Sequence, residues 1–285
     1  MNTSMSLSKE SLLVDCHWLS QQLANPKVKI VDASMNKILG RTPILYDEPT
    51  CIVGSLDLAL EEALADPDAP LANTISSAAQ FAAHMDKLGI ANDDIVVIYD
   101  NQGVYSSPRA WWLFKTMGHQ QVVVLNGGLV DWIKRGFATE SKHSKAVFKQ
   151  DYQAQIDDSW LATQEQVEHA IDETNSAIID ARGELRFKGL SKEPRPNVRP
   201  GHIPSSLNLP FAEVLNDEFY KTSAQLQIVF QSLINSQSNV IFTCGSGITA
   251  CIIMLGAYIA GYQNLRVYDG SWAEWGADES LPVET

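Results

Sequence analysis

The chain has 285 residues, 45% of them apolar and 19% charged, which allows a large core and excludes wholesale disorder. Acids outnumber bases 34 to 21, a formal net charge of −13, which argues against non-specific nucleic-acid binding and against an anionic membrane surface. No apolar run approaches 18 residues, so no membrane-spanning helix is expected. Residues 1–10 are polar and lack a basic-then-apolar leader pattern. Cys16, Cys51, Cys244 and Cys251 are too few and too scattered for a disulfide scaffold or a zinc site. The expectation at this level is a soluble, acidic, cytoplasmic protein without metal or organic cofactor.

In chain order, the β-branched runs 28–31, 95–99 and 122–125 predict buried strands. Between the first two, Ala78, Phe81, Ala82, Met85 and Leu88 recur at helical spacing, predicting a helix over 77–88 that stops at Gly89. Residues 139–157 are polar and read as a linker, with Val147 and Phe148 as a small patch able to pack on a domain face. Beyond it, 177–179, 240–243 and 265–268 predict strands, and 249–260 an apolar helix closed by Gly261. The two halves echo one another. Ile30-Val31-Asp32-Ala33 returns as Ile179-Asp180-Ala181 at an offset of 148, and GHQQVVVL at Gly118 returns as GYQNLRVY at Gly261, an offset of 143. Asn126-Gly127-Gly128 with Asp131-Trp132 returns as Asp269-Gly270-Ser271 with Glu274-Trp275, also at 143. The expected architecture is therefore α/β, with two tandem domains at 1–138 and 158–285, each a mainly parallel sheet flanked by helices.

Ligands in such folds sit where a strand's carboxyl end enters a helix. One loop there carries a reactive residue: Cys244-Gly245-Ser246-Gly247-Ile248-Thr249, between the strand 240–243 and its helix. Two glycines let the backbone curl its N–H groups inward, and the helix terminus adds partial positive charge. A cysteine there is expected to be substantially thiolate. The equivalent position in the first half is Asp100, an exchange that a core-filling cysteine would not make. The loop also matches G-x-G-x-x-A, with Asp269 about 20 residues on, but too little chain follows for a dinucleotide domain. A cysteine phosphatase would need arginine at position 250, which is Ala250. Sulfur transfer needs only the thiolate, the amides and a substrate brought from outside.

Six cations and two acids lie between Arg182 and Arg199, a local charge of about +4 in an acidic chain. Arg186 and Arg195 fit as forks for a small carboxylate, although a basic loop also suits a solvated surface.

These residues resemble those of the tandem rhodanese-type sulfurtransferases, most closely the 3-mercaptopyruvate branch. The loop CGSGITA at Cys244 differs from that family's CGSGVTA only at Ile248. Asp180-Ala181-Arg182, Arg186-Phe187, Glu193-Pro194-Arg195, Pro200-Gly201-His202-Ile203-Pro204, Asp269-Gly270-Ser271-Trp272 and Ser107-Pro108-Arg109 carry the resemblance across the chain. It implies a catalytic second domain, an inactive first domain and a site between them. Cys244 falls at the nucleophile, Gly245, Ser246, Gly247, Ile248 and Thr249 form its cradle, and Arg186 and Arg195 bind the substrate. By the resemblance a small anionic donor, 3-mercaptopyruvate or thiosulfate, leaves a persulfide on Cys244. A thiol, cyanide or a thioredoxin-like protein then accepts the sulfur; a non-enzymatic persulfide carrier is the alternative.

The chain departs from the family in its first half. Cys51 stands where the family has a histidine near the loop serine, and Thr42 where that histidine's acid would be, so no serine–histidine–aspartate relay carries over. Trp111, Trp112, Trp132 and Trp275 read as core or domain-interface aromatics, His202 as a brace of its turn and Cys251 as core. Arg109 suits either the cleft or an acid partner.

Overall fold

The computed structural model describes residues 12–234 and 239–285; residues 1–10, with their polar pattern, lie outside that range. In the first half, β1 (Leu13–Val14), β2 (Val28–Asp32), β3 (Leu56–Asp57), β4 (Ile95–Tyr99) and β5 (Val122–Leu125) form an all-parallel sheet in the order β1-β5-β4-β2-β3. In the second, β6 (Leu161–Ala162), β7 (Ser176–Asp180), β8 (Leu207–Asn208), β9 (Asn239–Thr243) and β10 (Leu265–Tyr268) repeat it as β6-β10-β9-β7-β8. The sequence echoes are thus a duplicated fold. All six long strands fall within a residue of their expected bounds, because strands buried on both faces are written as continuous β-branched runs. β4 and β9 are the central strands of their sheets, and Asp100 and Cys244 are the residues that follow them.

The helix Ala78–Leu88 starts at Ser77, whose hydroxyl accepts from Gln80 N while the Gln80 side chain returns the bond. It stops at Gly89, which is left-handed at φ +66°. The helix Ile248–Ile259 is buried on nearly every face and packs on its counterpart in the first half, Ser107–Thr116. A helix apolar all round belongs inside a molecule. Here it joins the halves, and one core cluster runs through both. Trp111 lies 5.8 Å from Tyr258 between ring centres, and Trp112 Nε1 donates to Trp160 O at 3.0 Å. Trp132 and Trp275 are fully buried, as expected.

Residues 139–157 are docked along the first half. Thr139–Glu140 pairs antiparallel with Cys51–Ile52. Ser144 N and Lys149 N donate to Ser55 O and Asp86 O, and Asp157 N to Thr116 O. Tyr152 is buried, and its hydroxyl meets His119 Nδ1 at 2.9 Å. The anchors of this strap are Tyr152 and the backbone, whereas Val147 and Phe148 do not pack: they stand 79% and 61% exposed. No helix among the described residues is long and apolar enough to cross a membrane.

Candidate active site

β9 delivers Cys244 to the floor of a cleft of about 500 Å³ whose walls come from both halves. Met35, Lys37, Asn73 and Tyr105 face it from the first, and Arg186, Lys192, Arg195 and Phe211 from the second. Cys244 is buried.

The loop is held open from behind. Ser271, at left-handed φ +50°, receives Cys244 N at 3.3 Å and Gly247 N at 3.1 Å on its hydroxyl, and that hydroxyl donates to Tyr268 O. Trp272 N and Ala273 N bond the carbonyls of Cys244 and Gly245. Gly247, at φ +79°, therefore shapes the loop and spends its own amide on Ser271. Among the described residues, the amides of Gly245, Ser246, Ile248 and Thr249 have no acceptor in the protein. Four unpaired donors around a cysteine at a helix N-terminus suit an anion. Cys251 lies one turn further along, fully buried, its Sγ directed at Gly247 O.

The first half contains the same device with the anion built in. Asp100 Oδ2 accepts from Tyr105 N, Ser106 N and Ser107 N at 2.8, 3.1 and 2.8 Å and from Ser107 Oγ at 2.6 Å. Oδ1 accepts from Gln102 N at 2.9 Å. A carboxylate fills that nest, so the first half has no vacant anion site at its strand end.

Arg186 and Arg195 do converge on the loop. A Cβ on Gly245 would lie 3.1 Å from Arg186 Nη2 and 3.7 Å from Arg195 Nη1, so the absence of a side chain there admits the Arg186 guanidinium, and Arg195 comes within contact of the same spot. Their electrostatic states differ. Arg186 is paired to Glu193, Nη2 to Oε2 at 2.6 Å, and Glu193 is also held by buried Arg182 at 3.0 Å. Arg195 has no acid partner among the described residues and touches only Gly245 O, at 3.4 Å. The apparent cluster of six cations is smaller in space. Arg182 is locked to Asp180 beneath Trp272, Lys188 pairs with Glu184 at the surface, and Arg199 is spent on the carbonyls of Trp275, Gly276, Asp278 and Leu281. Arg186, Lys192 and Arg195 remain in the cleft.

The two replaced family positions do not lie against the loop serine. Cys51 is buried in the strap pairing, its Sγ directed at Glu140 O, and Thr42 is exposed; neither lines the cleft. The group that meets Ser246 is Asn73, whose Nδ2 lies 3.2 Å from Ser246 Oγ and 3.3 Å from Ser246 O. Arg109 resolves toward an acid and does not line the cleft. It is buried over Trp112, pairs with Asp269 at 2.6 Å and donates to Asn73 O at 2.5 Å. His202 braces its turn by stacking on Phe187 and bonding Phe187 O.

Residues 15–135 and 163–278 match the family model of the Rhodanese-like domain. A 3-mercaptopyruvate sulfurtransferase of Rattus norvegicus is 36% identical over 272 residues, covering 92% of this chain and 91% of the relative. A thiosulfate sulfurtransferase of Cricetulus griseus is 36% identical over 277 residues, with 92% and 91% covered. The crystal structure of SseA from Escherichia coli, a 3-mercaptopyruvate sulfotransferase of the rhodanese fold, superposes with a TM-score of 0.81 at 29% identity, covering 92% of this chain and 99% of that one. With both halves matched and relatives of this identity along almost its full length, the chain belongs to the rhodanese family of sulfurtransferases, as a tandem member with a cysteine loop only in its second domain.

Proposed function

We propose that this enzyme transfers sulfur from 3-mercaptopyruvate through a persulfide on Cys244. The observation that carries the reading is the convergence of two guanidinium groups over Gly245, next to a cysteine ringed by four unpaired amides. Arg195 and the free edge of Arg186 hold the donor carboxylate, and the donor sulfur reaches Cys244 Sγ. The Cys244 thiolate forms the S–S bond as the donor C–S bond breaks. The released electron pair passes into the enolate of the departing keto acid, which takes a proton at carbon to become pyruvate. The loop amides stabilise the persulfide anion left on Cys244. A second thiolate, from a small thiol or a thioredoxin-like protein, then takes the outer sulfur and returns the Cys244 thiolate; cyanide does the same and leaves as thiocyanate.

Under this reading residues 1–138 form the inactive domain, 139–157 the connecting strap and 158–285 the catalytic domain. Four free cysteines suit a reducing compartment, and cytoplasmic residence is part of the proposal. A thiosulfate donor is the second reading, supported by the thiosulfate sulfurtransferase relative and by Lys37 and Lys192 on the cleft wall.

Intact mass after donor treatment tests the chemistry: one added sulfur on the wild type and none on Cys244→Ser. Parallel kinetics with one acceptor test the donor. A kcat/KM for 3-mercaptopyruvate at least about tenfold above thiosulfate, about 1.4 kcal/mol, is expected. Equal values would overturn the donor and leave the persulfide standing.

A further inference from the structure

Ser246 carries the loop hydroxyl two residues after the nucleophile, and its hydrogen bonding is fixed by a residue from the other half. Asn73 presents one amide edge to both Ser246 Oγ and Ser246 O, at 3.2 and 3.3 Å. A carbonyl oxygen only accepts, so the edge facing it is the NH2 group, and the hydroxyl oxygen receives a proton from the same group. Ser246 Oγ thus has an acceptor lone pair occupied, while its own proton has no acceptor among the described residues and the residue lines the cleft. Asn73 is itself over-determined. It holds a left-handed φ of +68°, its carbonyl is gripped by buried Arg109, and Asp269, the partner of Arg109, takes Ile75 N at 2.8 Å.

From this geometry we infer that Asn73 is a positioning residue that fixes Ser246 as a hydrogen-bond donor to the keto oxygen of the donor substrate. An amide neither titrates nor passes protons in this pH range, so Ser246 cannot act here as a relayed base. It acts as a fixed dipole aimed at the oxygen where negative charge collects as the C–S bond breaks. Because that charge develops only on the way to the enolate, the contribution falls on kcat rather than KM. Thiosulfate has no such carbonyl and gains nothing from it. The inference rests on the proposed donor chemistry and names how this chain favours a keto-acid donor.

The test is a double-mutant cycle with 3-mercaptopyruvate, using Asn73→Gly, which keeps the left-handed backbone, and Ser246→Ala. Each single variant is expected to lower kcat about tenfold with KM changed less than about twofold. The double variant should be no worse than Ser246→Ala alone, and the loss should be at least about fivefold heavier on 3-mercaptopyruvate than on thiosulfate. Intact mass of each variant after thiosulfate treatment reports whether the Cys244 loop remains competent. Multiplicative losses near a hundredfold in the double variant, or equal losses with both donors, overturn the inference while a Cys244 persulfide still forms. A wild type that takes no sulfur from 3-mercaptopyruvate overturns the donor reading and this inference together.

Discussion

Arg186 and Arg195 stand side by side over Gly245 but differ in what else they hold, so truncating each separates substrate binding from stability. Arg195→Ala removes a guanidinium whose protein contact is one long bond, 3.4 Å to Gly245 O. Loss of that bond contributes little to folding. Loss of a charge-assisted bond to the donor carboxylate costs about 1.5–3 kcal/mol, or about 10- to 150-fold in kcat/KM. Arg186→Ala removes a comparable substrate contact and also cuts the 2.6 Å pair with Glu193, whose side chain is only 4% exposed. Arg182 still holds Glu193, and Arg186 is 23% exposed, so the full penalty of orphaning a buried charge does not apply. A loss of about 1–2 kcal/mol follows, which lowers Tm by about 2–6 °C. The assay is steady-state kinetics with 3-mercaptopyruvate alongside thermal unfolding of both variants. Arg195→Ala should be slow and as stable as the wild type, Arg186→Ala slow and less stable. Kinetically normal Arg195→Ala, or equal Tm losses for the two, would refute the clamp.

Two further outcomes follow from the same structure. Gly245→Ala, at an ordinary backbone angle, should fold with stability unchanged or raised by about 0.4–1 kcal/mol. Its methyl crowds Arg186 Nη2 at 3.1 Å and shifts that guanidinium, so kcat/KM should fall about tenfold; an unaffected rate would mean that Arg186 binds nothing there. His143 in the strap bonds Asp32 at 3.0 Å, which raises its pKa above the usual histidine value despite partial burial. That contribution is present below about pH 6.5 and is lost as pH rises through the elevated folded pKa. Buried His84 and His119, with pKa values lowered by burial, act in the opposite direction, so the difference between wild type and His143→Gln is the measurement. Wild type should exceed the variant in Tm at pH 6 and approach it at high pH; a constant gap would rule the titration out.

The long strands and the cysteine loop were legible in the sequence because their causes are local. A strand buried on both faces carries its own apolar run, and a strand–Cys-Gly-x-Gly–helix turn carries its own glycines. The edge strands Leu13–Val14, Leu56–Asp57, Leu161–Ala162 and Leu207–Asn208 have two residues each, too few for any period to register. The strap read as linker because its anchoring is irregular: backbone bonds, one buried tyrosine and one histidine. In the site, what escaped was whatever arrives from far along the chain. Asn73 meets Ser246 across 173 residues from a loop without a motif, and only asparagine's tolerance of left-handed backbone marks it. Counting charges overstated the cation cluster, because a sequence does not say that Arg182 will be buried on Asp180 or that Arg199 will cap carbonyls. Glu193 opens the Glu-Pro-Arg motif, but its sharing between two arginines appears only in three dimensions.

The duplication makes the strongest internal test, since the two halves carry an aspartate and a cysteine at one structural position. Asp100 and Cys244 both follow the central strand of a five-stranded sheet and precede the helix that joins the halves. Asp100 is fully buried, and its carboxylate takes five hydrogen bonds from its own loop. Asp100→Asn keeps the shape but turns one oxygen into a donor facing donors, so at least one buried amide or hydroxyl loses its acceptor. That costs about 2–4 kcal/mol, from lost charge-assisted bonds and newly unsatisfied groups. Cys244→Ser leaves every loop bond in place, because Ser271 and not the cysteine side chain holds the loop amides. It should cost under about 1 kcal/mol and abolish transfer. Urea midpoints and turnover of the two variants decide the matter. An Asp100→Asn protein as stable as the wild type would mean that the first nest is not organised around its carboxylate, and the second could no longer be understood as the same nest left vacant for an anion from outside.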